Sequence, residues 1–171
     1  QVFADNAAIA IENARLYAES VARREQELEI ARRIQANLFP RELPRRQGIA
    51  LAAHCLPARE VGGDFFDCFA LGGRRAIAVM IGDASGKSVA GALLMAMARS
   101  VGRAEAIDHE EPALVLRETN RSMAHDVPRG TFVALCYATI DPAGRMAVAN
   151  AGQLTPVLIR TSGDIEYLYP P

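Results

Sequence analysis

Between Ala7 and Leu38 the chain contains neither glycine nor proline. Along that stretch Ala7, Ala10, Ala14, Tyr17, Val21, Arg24, Leu28, Ala31, Gln35 and Leu38 follow an unbroken three-four spacing, which is a heptad seam. Most other positions in its second half are charged, so one narrow apolar stripe runs along an otherwise solvated helix. A stripe that narrow suits a dimeric coiled coil; Arg24 and Gln35 weaken that reading, and the alternative is one long amphipathic helix lying on a globular domain. Pro40 and Pro44 end the helix, because proline lacks the donor and disfavours helical geometry in the residue before it. A second unit therefore begins at about residue 41.

That unit has the material for a core. Of 171 residues, 50% are hydrophobic and 23% charged. The formal net charge is −1 and the 19 basic residues are spread along the chain, which removes the electrostatic footprint of nucleic-acid binding. The longest apolar runs, Ala76 to Ile81 and Ala92 to Ala98, fall far short of the roughly 20 residues of a membrane span. Cys55, Cys68 and Cys136 show no CxxC spacing and fit neither a disulfide framework nor a zinc site, so a reducing cytoplasm is expected. Gln1 stands where a start methionine would be and no signal peptide follows, so the natural start is expected upstream.

Turn residues divide the rest into short elements. Ile49 to Leu56 and Phe65 to Leu71 read as strands, and Gly72-Gly73 turns the chain into a third, Arg75 to Ile81. Val89 to Ala106 reads as a helix packed between layers, and a second helix runs from Pro112, a favoured first-turn residue, to His125. Thr131 to Ile140 and Arg145 to Ala151 form a hairpin around Asp141-Pro142-Ala143-Gly144, and Val157 to Arg160 pairs with Ile165 to Leu168. Strands, two helices, then strands again predict an α+β domain of layered sheet and helix.

Two acids stand out. Asp64 in GGDFFD and Asp83 in GDASGK each sit where an apolar strand meets a glycine-rich turn. Carboxylates at strand ends, beside glycines that let other groups come close, are one way hard divalent cations are held. A pair of such ions with a water between them generates a nucleophile at neutral pH, which suits phosphate ester hydrolysis. The competing account is that both Gly-Asp pairs are simply turns. Asp67 is a further acid, but strand alternation from Asp64 points it elsewhere. GDASGKS is not a phosphate loop: only three residues separate Gly82 from Gly86, and Ile81 occupies the position the loop's glycine needs. His54-Cys55 with Arg59 fails the spacing of a cysteine phosphatase, and Pro57 interrupts it, so Cys55 reads as a buried strand cysteine. His109 and His125 read as surface or capping residues. Thr131 opens a strand near the acids, where spacing assigns it no role.

Taken together, several segments resemble the SpoIIE/RsbU branch of the PP2C-like (PPM) phosphatases. They are Ala31-Arg32-Arg33-Ile34-Gln35, Leu38-Phe39-Pro40, Pro57-Ala58, Val61 to Asp67, Gly82 to Lys87, Ala92 to Ala96, Thr131-Phe132-Val133 and Asn150-Ala151-Gly152. Their order over about 130 residues is more specific than any one of them. The resemblance implies an αββα sandwich with two Mn²⁺ or Mg²⁺ ions, hydrolysing phosphoserine or phosphothreonine on a STAS-domain anti-sigma-factor antagonist or a related signalling protein. It implies Asp64 and Asp83 as metal ligands, with the backbone carbonyl of Ala84 as a further one. Upstream, Ala8 to Tyr17 is similar to the last helix of a GAF sensor domain. Residues 1–20 are then the end of a sensor helix, 21–40 a coiled-coil linker and 41–171 the phosphatase domain, with two chains dimerising through the N-terminal helix.

The sequence departs from that pattern in three ways. The family's domain continues past a segment like Tyr167 to Pro171 and carries a third metal-binding Asp there, so the domain is expected to be incomplete at its C-terminus and Asp164 is no substitute. Ser88 replaces a glycine, and Gln153 stands where histidine is common; neither is an expected ligand. The alternative function is a catalytically inactive dimerisation or interaction fragment of the same fold.

Overall fold

The computed structural model describes residues 2–57, 60–74, 76–86 and 89–169, with side chains described except at 2–4, 7, 8 and 74. Ala58, Arg59, Lys87 and Ser88 of the motifs above lie outside the described residues.

The glycine-free segment is one helix, α1 (Val2–Leu38). Its exposed surface carries ion pairs one turn apart, Arg15 to Glu12 at 2.8 Å and Arg32 to Glu29 at 2.8 Å, which support the helix only weakly in solvent. The seam divides in two. Ala10, Ala14, Tyr17, Val21 and Arg24 are exposed, whereas Leu28, Ala31, Gln35 and Leu38 turn inward, and Leu38 and Phe39 pack against the domain core. Phe39 meets the Phe66 ring with centroids 5.3 Å apart.

Strands β1 (Asp64–Leu71), β2 (Ala76–Ala84), β3 (Val133–Ile140) and β4 (Met146–Ala151) form one antiparallel sheet in sequence order. Helices α2 (Val89–Asp108) and α3 (Pro112–Met123) cross between β2 and β3. Strand alternation sends Phe65, Phe69, Ala78, Met80, Leu135 and Tyr137 to the helix side, where they form the core with Leu94, Met95, Ala98 and Val115. A separate two-stranded ladder joins β5 (Val157–Ile159) to β6 (Ile165–Tyr167). The architecture is α+β, one antiparallel sheet with two helices packed on a single face.

Most elements fall where turn residues place them, because short hairpins are decided locally. Asp141 holds the β3–β4 turn by accepting from the N–H groups of Ala143 and Arg145 at 2.8 and 2.9 Å. The segment from Ile49 to Leu56 is a correction: apart from one bridge between Arg46 and Ile49, it pairs with no described strand. Its apolar alternation keeps it extended, but without a partner's backbone ladder an extended segment is not a strand. The Gly72-Gly73 turn is a short 3₁₀ segment, Gly72–Arg74. β2 and β3 run antiparallel, so the parallel βαβ unit a phosphate loop needs is absent there.

Candidate functional site

Asp64 opens β1, and Asp83 is the next-to-last residue of β2. The ladder sets them directly opposite each other. Residues facing each other across an antiparallel pair project to the same side, so both carboxylates stand together on the sheet face turned away from α2. Partial burial raises the Asp64 carboxyl above its ordinary value. The Asp83 charge and a hydrogen bond shared with Asp83 raise it further.

The surrounding backbone is tightly braced. The Ala84 N–H donates to the Gly63 carbonyl at 3.2 Å, which joins the turn before Asp64 to the residue after Asp83. One residue on, Ser85 is bonded twice to Phe132: its N–H donates to the Phe132 carbonyl at 2.8 Å, and its hydroxyl accepts from the Phe132 N–H at 2.8 Å. Gly86 holds a φ of 111°, and a Cβ on Gly91 would lie 2.6 Å from the Gly86 carbonyl oxygen, so glycine lets the start of α2 close on this turn. From the other side, the Gln35 side chain of α1 reaches Gly62 with two hydrogen bonds.

An open cleft of ≈ 410 Å³ lies beside Asp64, walled by the segment from Leu51 to Leu56, by Phe66 and Ile81, and by Gln153. Gln153 belongs to a loop closed by Asn150, whose amide donates to the Gln153 carbonyl and accepts from its N–H, both at 2.9 Å. Gly152 between them has a φ of 80°, the left-handed region that glycine favours.

Asp67 takes no part in this face. It is fully buried on the helix side, accepting from Arg103 at 2.9 Å and paired with Arg99 at 3.1 Å. Arg103 also lies over the Phe69 ring, 4.5 Å from its centroid. The alternation expected from Asp64 is what separates the two acids. Partial burial, with a smaller contribution from Asp64, pushes the Cys55 thiol up, which opposes thiolate formation, but Cys55 is half-buried on an unpaired extended segment and not the buried strand cysteine expected. Thr131 donates its hydroxyl to the Pro128 carbonyl at 2.6 Å, closing its own loop. His109 lies 3.4 Å from Glu105, one turn earlier on the helix-end surface.

The donor set fits a hard cation by its chemistry: two carboxylates facing each other, one of them lining a cleft, in a backbone that glycine allows to close. Among the described residues no group of three or more His, Cys, Asp or Glu side chains forms a cluster. The contacts that sequence reasoning missed are those of Gln35, of Ser85 with Phe132, and of Asp67 with Arg99 and Arg103. For Gln35 a signal existed, since it is a polar residue in an apolar seam; the others join residues 32 to 47 positions apart and left no local trace.

Residues 73–171 match the family described as Stage II sporulation protein E (SpoIIE). The chain is 27% identical over 112 residues to Phosphoserine phosphatase RsbU of Bacillus subtilis, covering 66% of this chain and 33% of that protein. It is 44% identical over 77 residues to Protein IcfG of Synechocystis, covering 45% of this chain and 12% of that protein. The chain thus spans a third or less of the length of these relatives. Among solved structures it resembles the SiaA-PP2C domain of Pseudomonas aeruginosa, with a TM-score of 0.62 and 27% identity over 78% of this chain and 55% of that one. The RsbU and RsbW domains of a Mycobacterium tuberculosis protein align with a TM-score of 0.58 and 24% identity, over 67% of this chain and 32% of that one, a likeness of fold.

Proposed function

This chain belongs to the SpoIIE family of PP2C-like phosphatases, and from that premise we propose that it hydrolyses phosphoserine or phosphothreonine on a protein substrate with Mn²⁺ or Mg²⁺. The observation that carries the reading is the placement of Asp64 opposite Asp83 on one sheet face. These two carboxylates, with the backbone carbonyl of Ala84, are the groups that would hold the ions, two in number. When bound, such ions supply a water activated near neutral pH and positive charge for the phosphate oxygens. The chain's own contribution is electrostatic and positional. Burial and, after it, the Asp83 charge disfavour the charged form of Asp64, a cost that a divalent cation between the two acids would relieve, and the bonds from Ala84 to Gly63 and from Ser85 to Phe132 hold the two turns still.

The substrate fitting this reading is a phosphorylated signalling protein, with a STAS-domain anti-sigma-factor antagonist as the leading candidate. Residues 1–20 act as the end of a GAF-like sensor helix, 21–40 as a linker and 41–171 as the phosphatase domain, in the cytoplasm. No helix among the described residues is long and apolar enough to cross a membrane. Exposure of Ala10, Ala14, Tyr17 and Val21 supports a homodimer through the first half of α1. One observation favours a second reading, an inactive interaction domain of the same fold: the described donor set holds two acids, and hard-cation affinity tracks the number of charged ligands.

Hydrolysis of p-nitrophenyl phosphate by the full-length protein, with and without Mn²⁺ and with Asp83→Asn, separates the two. Metal-dependent turnover that disappears in Asp83→Asn is the expected result. A folded protein that hydrolyses neither this ester nor a phosphorylated protein substrate would leave the interaction domain as the better account.

A further inference from the structure

Gln35 is the one polar residue of α1 that is buried, with 5% of its surface exposed, and its partner lies 27 positions away. Its amide nitrogen donates to the Gly62 carbonyl at 2.7 Å, and its amide oxygen accepts from the Gly62 N–H at 3.1 Å. The side chain thus forms both hydrogen bonds that a neighbouring strand residue would form, and fixes Gly62 in position and in rotation. A buried amide held at both ends is costly to displace, because either group left unpaired keeps its full desolvation penalty. The next residue, Gly63, is bonded in turn to the Ala84 N–H, and the residue after it is Asp64.

From this we infer that Gln35 is a positioning residue for Asp64: it clamps the turn that carries this acid and so sets its place opposite Asp83. The inference rests on the metal-site reading above. Gln35 touches neither substrate nor reacting atoms in that reading; its effect runs through the Gly62–Gly63 backbone. Nearby residues of the same helix do not share this role. Leu38 packs into the hydrophobic core and contributes adhesion without direction.

The test uses the full-length protein and Mn²⁺ alone, with binding followed by electron paramagnetic resonance and backbone exchange by hydrogen–deuterium methods. In the wild type, the Gly62 amide is expected to exchange as slowly as the amides of the β1–β2 ladder; exchange at the rate of an open loop would overturn the clamp without recourse to any variant. Gln35→Met keeps length and burial but loses both bonds. It is expected to weaken Mn²⁺ binding by about tenfold or more, the usual scale for a lost supporting contact. Leu38→Ala is the control and is expected to lower the melting temperature while leaving Mn²⁺ affinity within about twofold. Equal loss of affinity in Gln35→Met and Leu38→Ala would reduce Gln35 to ordinary packing. Asp83→Asn distinguishes the levels of the argument. If it abolishes Mn²⁺ binding while Gln35→Met leaves it unchanged, only the positioning role fails; if Asp83→Asn binds like wild type, the metal-site reading fails as well.

Discussion

Gly63 and Ala84 meet backbone to backbone. The Ala84 N–H donates to the Gly63 carbonyl at 3.2 Å, and a Cβ built on Gly63 would fall on the Ala84 carbonyl oxygen. Gly63 has no left-handed φ, so its need for glycine is steric and not conformational. Its neighbour Gly62 has room: a Cβ there would meet the Pro57 Cβ at 3.8 Å, an ordinary contact.

The two glycines of the GGD turn should therefore respond differently. Gly63→Ala forces the β1 and β2 ends apart and is expected to cost about 2 kcal/mol or more, the range of overpacking against backbone. Gly62→Ala should stay within about 1 kcal/mol of wild type. Urea denaturation of both variants checks this, and equal losses would contradict the steric argument.

Asp67 balances two guanidinium groups from inside the core. Asp67→Asn leaves Arg99, which is largely buried, without its carboxylate, and breaking a buried pair in this way typically costs about 3 to 5 kcal/mol. Arg103 is 43% exposed and recovers solvation, so the lower end of that range is expected. The same denaturation measurement reads it; a loss below about 1 kcal/mol would mean that the pair behaves as a surface one.

In metal-free protein Asp64 should titrate above an ordinary aspartate. Because the folded state holds this proton more tightly than the unfolded chain, stability falls as pH rises from the ordinary aspartate value through the raised one, and is level beyond it. Asp83→Asn removes the second cause, the neighbouring charge, and leaves burial, the largest. Carboxyl NMR titration should show Asp64 moving back only part of the way. An unchanged titration in Asp83→Asn would mean that the two acids do not feel each other.

The proposed dimer through α1 uses the exposed half of the seam. Tyr17→Glu with Val21→Glu places like charges at two exposed seam positions and should dissociate the dimer in sedimentation experiments without lowering the melting temperature of the domain. Leu38→Ala should do the reverse, since Leu38 belongs to the core of its own chain. A dimer that survives the double substitution would place the interface elsewhere.

Much of this organisation is legible along the chain because it is local. Gly- and Pro-free spacing makes α1, Pro40 ends it, and turn residues separate β1 from β2, β3 from β4 and β5 from β6. The period of two is enough to send Asp64 and Asp67 to opposite faces, as the structure has them. The misreading of Ile49 to Leu56 has the same origin: alternation describes a side-chain pattern, while a strand also requires a partner that no local pattern reveals.

Residues a few positions apart suffice to give the helices, the hairpin strands from β1 to β6, the glycines at the turns and the two acids beside them. That Asp64 stands opposite Asp83, that Ser85 is held by Phe132 and that Gln35 leaves the seam to hold Gly62 emerges from the packed fold alone. Those contacts join residues 19 to 47 positions apart, and they form only after the sheet and the end of α1 have packed around one core. Burial then makes them specific, because a polar group sealed from water must be paired where it lies.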